Sequence, residues 1–230
     1  MEFIAEIGLN YNSNKGLISE MVRLASISGA NFAKLQLGWR DKEGEINHLT
    51  KDDLESFIYI CSYYQIKPLF SIFHLDAWEL LKSLNTEIKV VKIASRTLKE
   101  DKDLIKDIQN SIERLIISTG MESINEAKKN QFKGDFLWCV SKYPALPKDL
   151  NSMPLDFKLD GYAGFSDHSQ GLSASLLAIA RGAEIIERHF TLDKSDTTIR
   201  DHALSSTPEE FSQLVSYGKD INRLYRTLNA

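Results

Sequence analysis

The chain has 230 residues, a formal net charge of −4 and a hydrophobic content of 43%. These values are typical of a globular domain, and they argue against intrinsic disorder and against a protein whose main ligand is nucleic acid. No apolar run is long enough for a transmembrane helix, and the acidic N-terminus lacks the basic start of a signal peptide. We therefore expect a cytoplasmic protein without a membrane partner. We expect Cys61 and Cys139 to be buried free thiols in apolar surroundings.

Short apolar runs rich in β-branched residues alternate with helical patterns along the chain. Eight runs predict strands, at residues 3–8, 32–37, 67–73, 88–94, 114–118, 136–140, 162–165 and 184–187. Helical patterns lie between most of them, at residues 17–28, 51–64, 77–84, 102–110, 124–130, 172–181 and 208–228.

The spacing of these elements predicts the fold. Eight strands in 230 residues give a period of about 29 residues, which is the size of one βα unit. Alternating units of this kind imply a parallel sheet, and eight of them predict an α/β protein with one closed (β/α)₈ TIM barrel over residues 1–230. A doubly wound open sheet is the alternative, although residues 8–14 after the first strand contain no GxGxxG pattern.

Polar residues collect where the predicted strands end, which is where such a barrel has its active site. Glu6 interrupts the first strand, Lys34 and Gln36 share one face of the second, and Lys92 lies near the end of the fourth. Buried charges are costly unless they are paired, so Glu6 either serves the chemistry or forms a strand-end salt bridge. Two lysines at equivalent positions indicate a shared anion.

Hydroxyl groups follow the fifth and sixth strands. Ser118, Thr119 and Gly120 precede a predicted helix, where they either hold a phosphate at the helix N-terminus or form an ordinary helix cap. Ser141 and Tyr143 follow the sixth strand.

Two histidines, His168 and His189, end the seventh and eighth strands. Adjacent strands lie about 4.8 Å apart, so both imidazoles are able to reach one divalent metal ion; two unrelated loop histidines are the alternative. Glu187 lies two residues before His189, so in a strand both side chains face the same side. Glu187 is therefore a candidate further metal ligand or hydrogen-bond partner. Asp201 and His202 follow in the next loop, over the same end of the barrel.

Seven segments, taken together and in order, resemble the sialic acid synthase family of phosphoenolpyruvate-dependent enzymes. They read AEIGLN at residues 5–10, KLQ at 34–36, KIAS at 92–95, LIISTGM at 115–121, CVSKYP at 139–144, GFSDH at 164–168 and ERHFTLD at 187–193. They cover nearly the whole chain.

The resemblance implies condensation of phosphoenolpyruvate with an aldose, an N-acylamino hexose or related sugar, to give a sialic-type or nonulosonic-type 2-keto-3-deoxy sugar acid and phosphate. It implies Mn²⁺ or another divalent metal held by His168 and His189, with Glu6 handling a proton. The implied phosphoenolpyruvate residues are Lys34, Ser71, Lys92, Ser95, Ser118, Ser141, Tyr143 and Ser166. Gln36 and Asp201, with Glu6, match positions near the sugar.

The departures from the family lie on the sugar side. Family members usually continue into an antifreeze-like C-terminal domain that supplies an arginine to the partner subunit, and we expect the barrel domain alone here. Arg96-Thr97 stands where the family has an acidic residue two positions after Ser95, and Thr198-Ile199-Arg200 replaces Pro-Gly-Pro. We hypothesise that Arg200 or Arg96 replaces the missing arginine and that the acceptor carries a negative charge.

Other function classes stay open at this point. One is a catalytically degenerate or partner-dependent synthase-like subunit, and another is a metal-dependent aldolase or isomerase, which would release no phosphate. The sequence leaves open whether the chain forms a homodimer or takes the C-terminal domain from a separate partner. We expect Trp39, Trp78 and Trp138 to have packing roles rather than to bind sugar.

Overall fold

The computed structural model describes residues 1–228, which form a closed barrel of eight parallel strands that neighbour one another in chain order. The strands are β1 (Glu2–Glu6), β2 (Phe32–Leu37), β3 (Lys67–Ile72), β4 (Val90–Ile93), β5 (Arg114–Ser118), β6 (Asp135–Cys139), β7 (Gly164–Asp167) and β8 (Ile185–His189). β1 pairs with both β2 and β8, and this pairing closes the ring. The predicted (β/α)₈ barrel is thus confirmed, and the open sheet is excluded.

Eight α-helices surround the barrel within the described part of the chain. They are α1 (Lys15–Ile27), α2 (Lys51–Tyr63), α3 (Leu75–Lys82), α4 (Ser95–Glu100), α5 (Lys102–Ser111), α6 (Ile124–Lys129), α7 (Ser173–Ala180) and α8 (Pro208–Leu228). Two 3₁₀ helices lie at Pro147–Leu150 and Arg200–Leu204. Helix α4 has no counterpart among the predicted helices, because six residues are too short to show helical periodicity. None of these helices has the length and apolar character needed to cross a membrane.

Strand bounds differ from the predicted ones by no more than two residues, and a glycine explains the earlier end of β1. β1 ends at Glu6 because Gly8 has φ +55°, a backbone conformation that turns the chain out of the strand. β7 begins at Gly164, where a Cβ atom would lie 1.9 Å from the carbonyl oxygen of Ile185. β8 continues to His189, so this histidine belongs to the strand itself.

Alternate residues of each strand face the barrel interior. The inward residues near the amino ends form an apolar floor of Ile4, Phe32, Leu69, Ile116, Leu137 and Ile185. Two residues further along six of the eight strands, the buried inward side chains are Glu6, Lys34, Ser71, Ser118, Cys139 and Glu187. The interior therefore changes from apolar to polar within one strand repeat, and the polar layer lies at the carboxyl end of the barrel, here called the mouth.

A buried ion pair on the outer side of the barrel holds the ends of β7 and β8. Arg188 is 1% exposed, and its Nη1 atom lies 2.7 Å from Asp167 Oδ2. Its remaining nitrogens donate to Ser206 Oγ and to the carbonyl oxygens of Ser169 and Leu204. The pair thus positions the residues adjacent in sequence to both, His168 and His189.

Arg188→Met is expected to lower the free energy of unfolding by about 3–5 kcal/mol, because it leaves the Asp167 carboxylate buried without its partner. Urea denaturation followed by circular dichroism measures the loss. Arg223→Met is the matched control, since the Arg223 side chain is 76% exposed on α8, and its expected effect is within about 0.5 kcal/mol. Equal denaturation midpoints for the two variants would contradict the structural role of Arg188.

Candidate active site

The mouth of the barrel contains a cavity of about 330 Å³. All fourteen predicted site residues line it, contributed by the ends of all eight strands or the loops that follow them: Glu6, Lys34, Gln36, Ser71, Lys92, Ser95, Ser118, Ser141, Tyr143, Ser166, His168, His189, Arg200 and Asp201. The structure brings these residues together, and their individual roles stay predictions. The cavity is also lined by Trp39, Phe73, Ala94, Arg96, Met121, Cys139 and Glu187.

Two lysines and two glutamates form a buried charge cluster at the base of this cavity. Lys34 Nζ lies 2.7 Å from Glu187 Oε2 and 3.4 Å from Glu6 Oε2. Lys92 Nζ lies 3.5 Å from Glu187 Oε1 and donates to Ser118 Oγ at 2.7 Å. The shared anion predicted between the two lysines is therefore, in this structure, the Glu187 carboxylate. Glu187 contacts the lysines rather than the histidines.

The two carboxyl groups of this cluster have opposite pKa shifts. Burial alone would raise the pKa of Glu187, but the ammonium groups of Lys34 and Lys92 outweigh burial and hold the pKa well below its usual range. Burial raises the pKa of Glu6, and the nearby Lys34 offsets this only in part. Of the two carboxyl groups, Glu6 is therefore the one that takes up a proton first as the pH falls.

The two lysines also differ. Burial lowers the pKa of Lys92, because Glu187 compensates its charge only in part. Burial acts in the same direction on Lys34, but Glu187 and Glu6 outweigh it and raise the pKa. Lys92 is consequently the less compensated cation of the cluster, and it lies among hydroxyl groups.

The loop after β5 provides a side-chain cap for α6. α6 begins at Ile124, and Ser123 Oγ accepts a hydrogen bond from the backbone N–H of Glu126. Met121 lines the cavity, whereas no residue of α6 does. The backbone N–H of Gly120 donates to Ser95 Oγ at 2.9 Å. This loop therefore orients a cavity hydroxyl, and of the two alternatives for the start of α6 the structure shows the helix cap, which Ser123 forms.

His168 and His189 face each other across adjacent strand ends, with ring centroids 5.6 Å apart. His168 Nδ1 lies 2.9 Å from the carbonyl oxygen of Val140, a contact that assigns the proton to Nδ1 and leaves the Nε2 lone pair free. His189 Nδ1 is buried without a hydrogen-bond partner among residues 1–228. Burial lowers the pKa of His189 to about 4, so its ring is neutral near pH 7.

This donor set fits a divalent metal ion that takes two ligands from the protein and the others from substrate or water. A histidine that binds a metal through one ring nitrogen commonly donates a hydrogen bond from the other to a carbonyl oxygen. For His168 this acceptor is the carbonyl oxygen of Val140. Burial opposes protonation of His168, but Cys139 and Val140 raise its pKa, so a metal ion would compete with a proton there. Among the described residues, no group of three or more His, Cys, Asp or Glu side chains is placed to hold a metal.

His202 lies outside this arrangement. Its ring is buried, with Nδ1 at 2.6 Å from Thr191 Oγ1 and Nε2 at 3.0 Å from Asn12 Oδ1. His202 therefore braces the loop after β8, while Asp201 beside it lines the cavity.

Arginine and aromatic side chains form the rim of the cavity. The Arg96 guanidinium lies 4.7 Å from the centroid of the Trp39 ring, and that of Arg200 lies 4.5 Å from the centroid of the Tyr143 ring. Trp39 packs on Phe73, with ring centroids 5.7 Å apart, and it does so at the cavity, which its side chain reaches from the loop after β2. Trp78 and Trp138 are buried as expected.

Cys139 lines the cavity, although it was not among the predicted site residues. Its thiol lies 3.6 Å from Ser95 Oγ and 3.7 Å from His168 Nδ1, so its surroundings are polar, contrary to the expectation of an apolar site. The alternation of side chains along β6 could have identified it. Leu137 belongs to the apolar floor, so Cys139, two residues later, also faces the barrel interior.

Comparison with known proteins is consistent with this geometry. A family model described as the NeuB family matches residues 44–228. The N,N′-diacetyllegionaminic acid synthase of Campylobacter jejuni is 30% identical, over 96% of this chain and 76% of its own length. The N-acetylneuraminate-9-phosphate synthase of Mus musculus is 30% identical, over 92% of this chain and 67% of its own length. A crystal structure of the N-acetylneuraminic acid synthetase of Leptospira borgpetersenii, in complex with citrate, has a TM-score of 0.84 at 28% identity, covering 96% and 84% of the two chains.

Proposed function

The chain belongs to the NeuB family, and from this premise we propose that it condenses phosphoenolpyruvate with an aldose to form a 2-keto-3-deoxy sugar acid and phosphate. The names of the relatives support a sugar-acid synthase. The observation that carries the proposal is the presence in one cavity of a buried lysine pair for an anionic donor and a histidine pair beside it.

The lysine side of the cavity suits the donor. Phosphoenolpyruvate carries a phosphate and a carboxylate, and lysines bind such groups as point charges. Lys92 is the main charge partner, because its shortest contact is with a neutral hydroxyl, that of Ser118. The hydroxyl groups of Ser95 and Ser166 line the same cavity and add donors for the phosphate oxygens.

The histidine side suits the acceptor. His168 and His189 would hold Mn²⁺ or another divalent ion, which when bound supplies Lewis-acid polarisation of a carbonyl oxygen. Tyr143 packs on both rings, with centroid distances of 4.3 Å to His168 and 6.1 Å to His189, and restricts their orientation. The aldehyde end of an open-chain sugar lies here, next to the donor.

The reaction forms a bond between the methylene carbon of phosphoenolpyruvate and the aldehyde carbon of the sugar. Water then adds to C2 of the former enolpyruvate, and phosphate leaves with cleavage of the C–O bond. The aldehyde oxygen gains a proton and the attacking water loses one. Glu6 suits both transfers, because its raised pKa keeps a proton available and its Oε2 atom accepts no hydrogen bond within the described chain.

Release of inorganic phosphate from phosphoenolpyruvate tests the proposal. The purified chain with Mn²⁺ is expected to release phosphate only when an aldose from a panel of N-acylamino and phosphorylated sugars is present. EDTA is expected to abolish release, and added Mn²⁺ to restore it. His189→Ala is expected to lose the response to Mn²⁺, whereas His48→Ala, outside the cavity lining, is expected to keep it.

The outcomes separate the alternative functions. C–C bond formation or cleavage without phosphate release would favour an aldolase. Calorimetric binding of phosphoenolpyruvate without turnover would support a partner-dependent subunit. Failure to bind phosphoenolpyruvate at all would refute the proposed donor and favour a degenerate barrel.

A further inference from the structure

The loop after β8, residues 190–207, carries Asp201 to the histidine end of the cavity. The Asp201 side chain is 13% exposed and lines the cavity, and its negative charge partly opposes the effect of burial on the pKa of His189. A backbone hydrogen bond from Ser206 to the carbonyl oxygen of His189 holds the far end of the loop to the barrel. The contacts made by the residues in between decide where Asp201 lies.

Asn12, in the loop after β1, contacts the loop after β8 at two points. Its Nδ2 donates to Asp196 Oδ2 at 2.5 Å, and its Oδ1 lies 3.0 Å from His202 Nε2. Asn12 has φ +53°, a left-handed conformation that asparagine adopts more readily than most residues other than glycine. One amide side chain thus links the loop after β1 to the immediate neighbour of Asp201.

The partners in this network determine where its protons lie. Asp196 accepts from the amide nitrogen of Asn12, so the amide oxygen faces His202, and the ring donates to it from Nε2. His202 Nδ1 is then an acceptor, and the Thr191 hydroxyl lies 2.6 Å from it. The ring is 2% exposed, and burial lowers the pKa of His202 in spite of the nearby Asp196, so the ring is neutral near pH 7.

A second contact from the loop after β1 supports the backbone of Asp201. Asn10 Nδ2 donates to Ser205 Oγ at 2.9 Å, and Ser205 Oγ donates to the carbonyl oxygen of Asp201 at 2.6 Å. The loop after β1 therefore fixes Asp201 both through its own backbone and through the adjacent His202.

The donor lysines do not depend on these contacts. Lys34 and Lys92 lie within β2 and β4, and the hydrogen bonds and ion pairs that they make within residues 1–228 all go to residues of the strands. Asn12 and His202 lie outside the cavity lining. A change in either residue is expected to reach a ligand through Asp201, at the end of the cavity where the aldehyde lies.

We propose that Asn12 and His202 are positioning residues, which hold the Asp201 carboxylate in place and so determine the affinity for the aldose rather than for phosphoenolpyruvate. This inference rests on the proposed function, because the condensation defines which ligand is the acceptor. An aldose has hydroxyl donors next to its aldehyde, and a carboxylate that is already in place accepts their hydrogen bonds without the entropic cost of ordering a loop.

Exchanging the amide and the carboxylate tests the contact. Asn12→Asp places a second carboxylate against Asp196, and repulsion is expected to separate the two loops. In steady-state kinetics of phosphate release, the KM for the aldose should rise by about tenfold to a hundredfold, and that for phosphoenolpyruvate by less than about threefold. Adding Asp196→Asn places an amide opposite a carboxylate again, and both KM values should return to within about threefold of the wild type.

Three further variants complete the set. His202→Ala removes the ring and is expected to raise the KM for the aldose in the same range as Asn12→Asp. His202→Gln keeps an N–H group able to donate to Asn12 and is expected to recover part of the loss. Ser13→Ala is the matched control, because Ser13 also has a positive φ of 60° but donates to the carbonyl oxygen of Ile46, and it is expected to match the wild type.

Hydrogen exchange measured by mass spectrometry follows the loop without turnover. The backbone amides of residues 199–206 are expected to exchange faster in Asn12→Asp and His202→Ala than in the wild type. The double variant and Ser13→Ala are expected to exchange at the wild-type rate.

Several results would overturn the inference. These are equal exchange rates in all variants, equal increases in the two KM values, and a double variant as impaired as Asn12→Asp. Failure of the proposed function shows separately, because the wild type would then release no phosphate with any aldose. The exchange rates would still respond to the variants in that case, and only the acceptor role of the contact would be refuted.

Discussion

Lys92→Met is expected to raise the KM for phosphoenolpyruvate by about a hundredfold while the barrel stays folded. The variant removes a charge-assisted contact to the donor that is worth about 1.5–3 kcal/mol for each hydrogen bond lost. Glu187 keeps Lys34 at 2.7 Å and the Ser166 hydroxyl at 2.7 Å, so no carboxylate is left unpaired. Methionine fills a similar volume, and stability should change by no more than about 1.5 kcal/mol.

Lys34→Met is the contrasting variant. Lys34 lies between Glu187 and Glu6, so its loss removes the nearest cation from both of these buried carboxyl groups. The expected loss of unfolding free energy is about 3–5 kcal/mol. Steady-state kinetics and urea denaturation of both variants measure the difference. Equal stability losses, or an unchanged KM in Lys92→Met, would refute the distinction between a lysine that binds the donor and a lysine that neutralises the cluster.

Glu6→Gln is expected to lower kcat by about 10²-fold to 10⁴-fold, the range for loss of a general acid–base group. The amide has the shape of the carboxyl group and can still accept the hydrogen bond from Gln36 Nε2. The KM for phosphoenolpyruvate should change by less than about threefold, because the ion pair of Lys34 with Glu187 and the hydrogen bond from Lys92 to Ser118 are both retained. Loss of proton transfer, rather than of donor binding, then accounts for the effect.

The pH dependence of kcat provides a second readout. Because burial raises the pKa of Glu6, the wild type should show an ionisation above the usual range of a glutamate, and Glu6→Gln should lack it. Glu113→Gln is the control, because the Glu113 side chain is 63% exposed and pairs with Lys89 away from the cavity. An ionisation that persists in Glu6→Gln would assign proton transfer to another group.

Several features of this protein follow from local sequence patterns. The alternation of apolar runs with helical patterns indicated eight βα units, and the structure closes them into one barrel. Strand parity placed Lys34 and Gln36 on the inward face, and both line the cavity. Such patterns are informative because burial and the period of two act within a single strand, so neighbours in sequence carry the signal.

The partner of each site residue was decided by tertiary structure. Lys34, Lys92 and Glu187 lie on β2, β4 and β8, and only closure of the barrel brings the two lysines to one carboxylate. The same holds for Trp39, whose place at the rim depends on the Arg96 side chain from another loop. Sequence patterns report which side chains are buried, whereas charge pairing and pKa shifts depend on distances across the barrel, which the register and closure of the strands set.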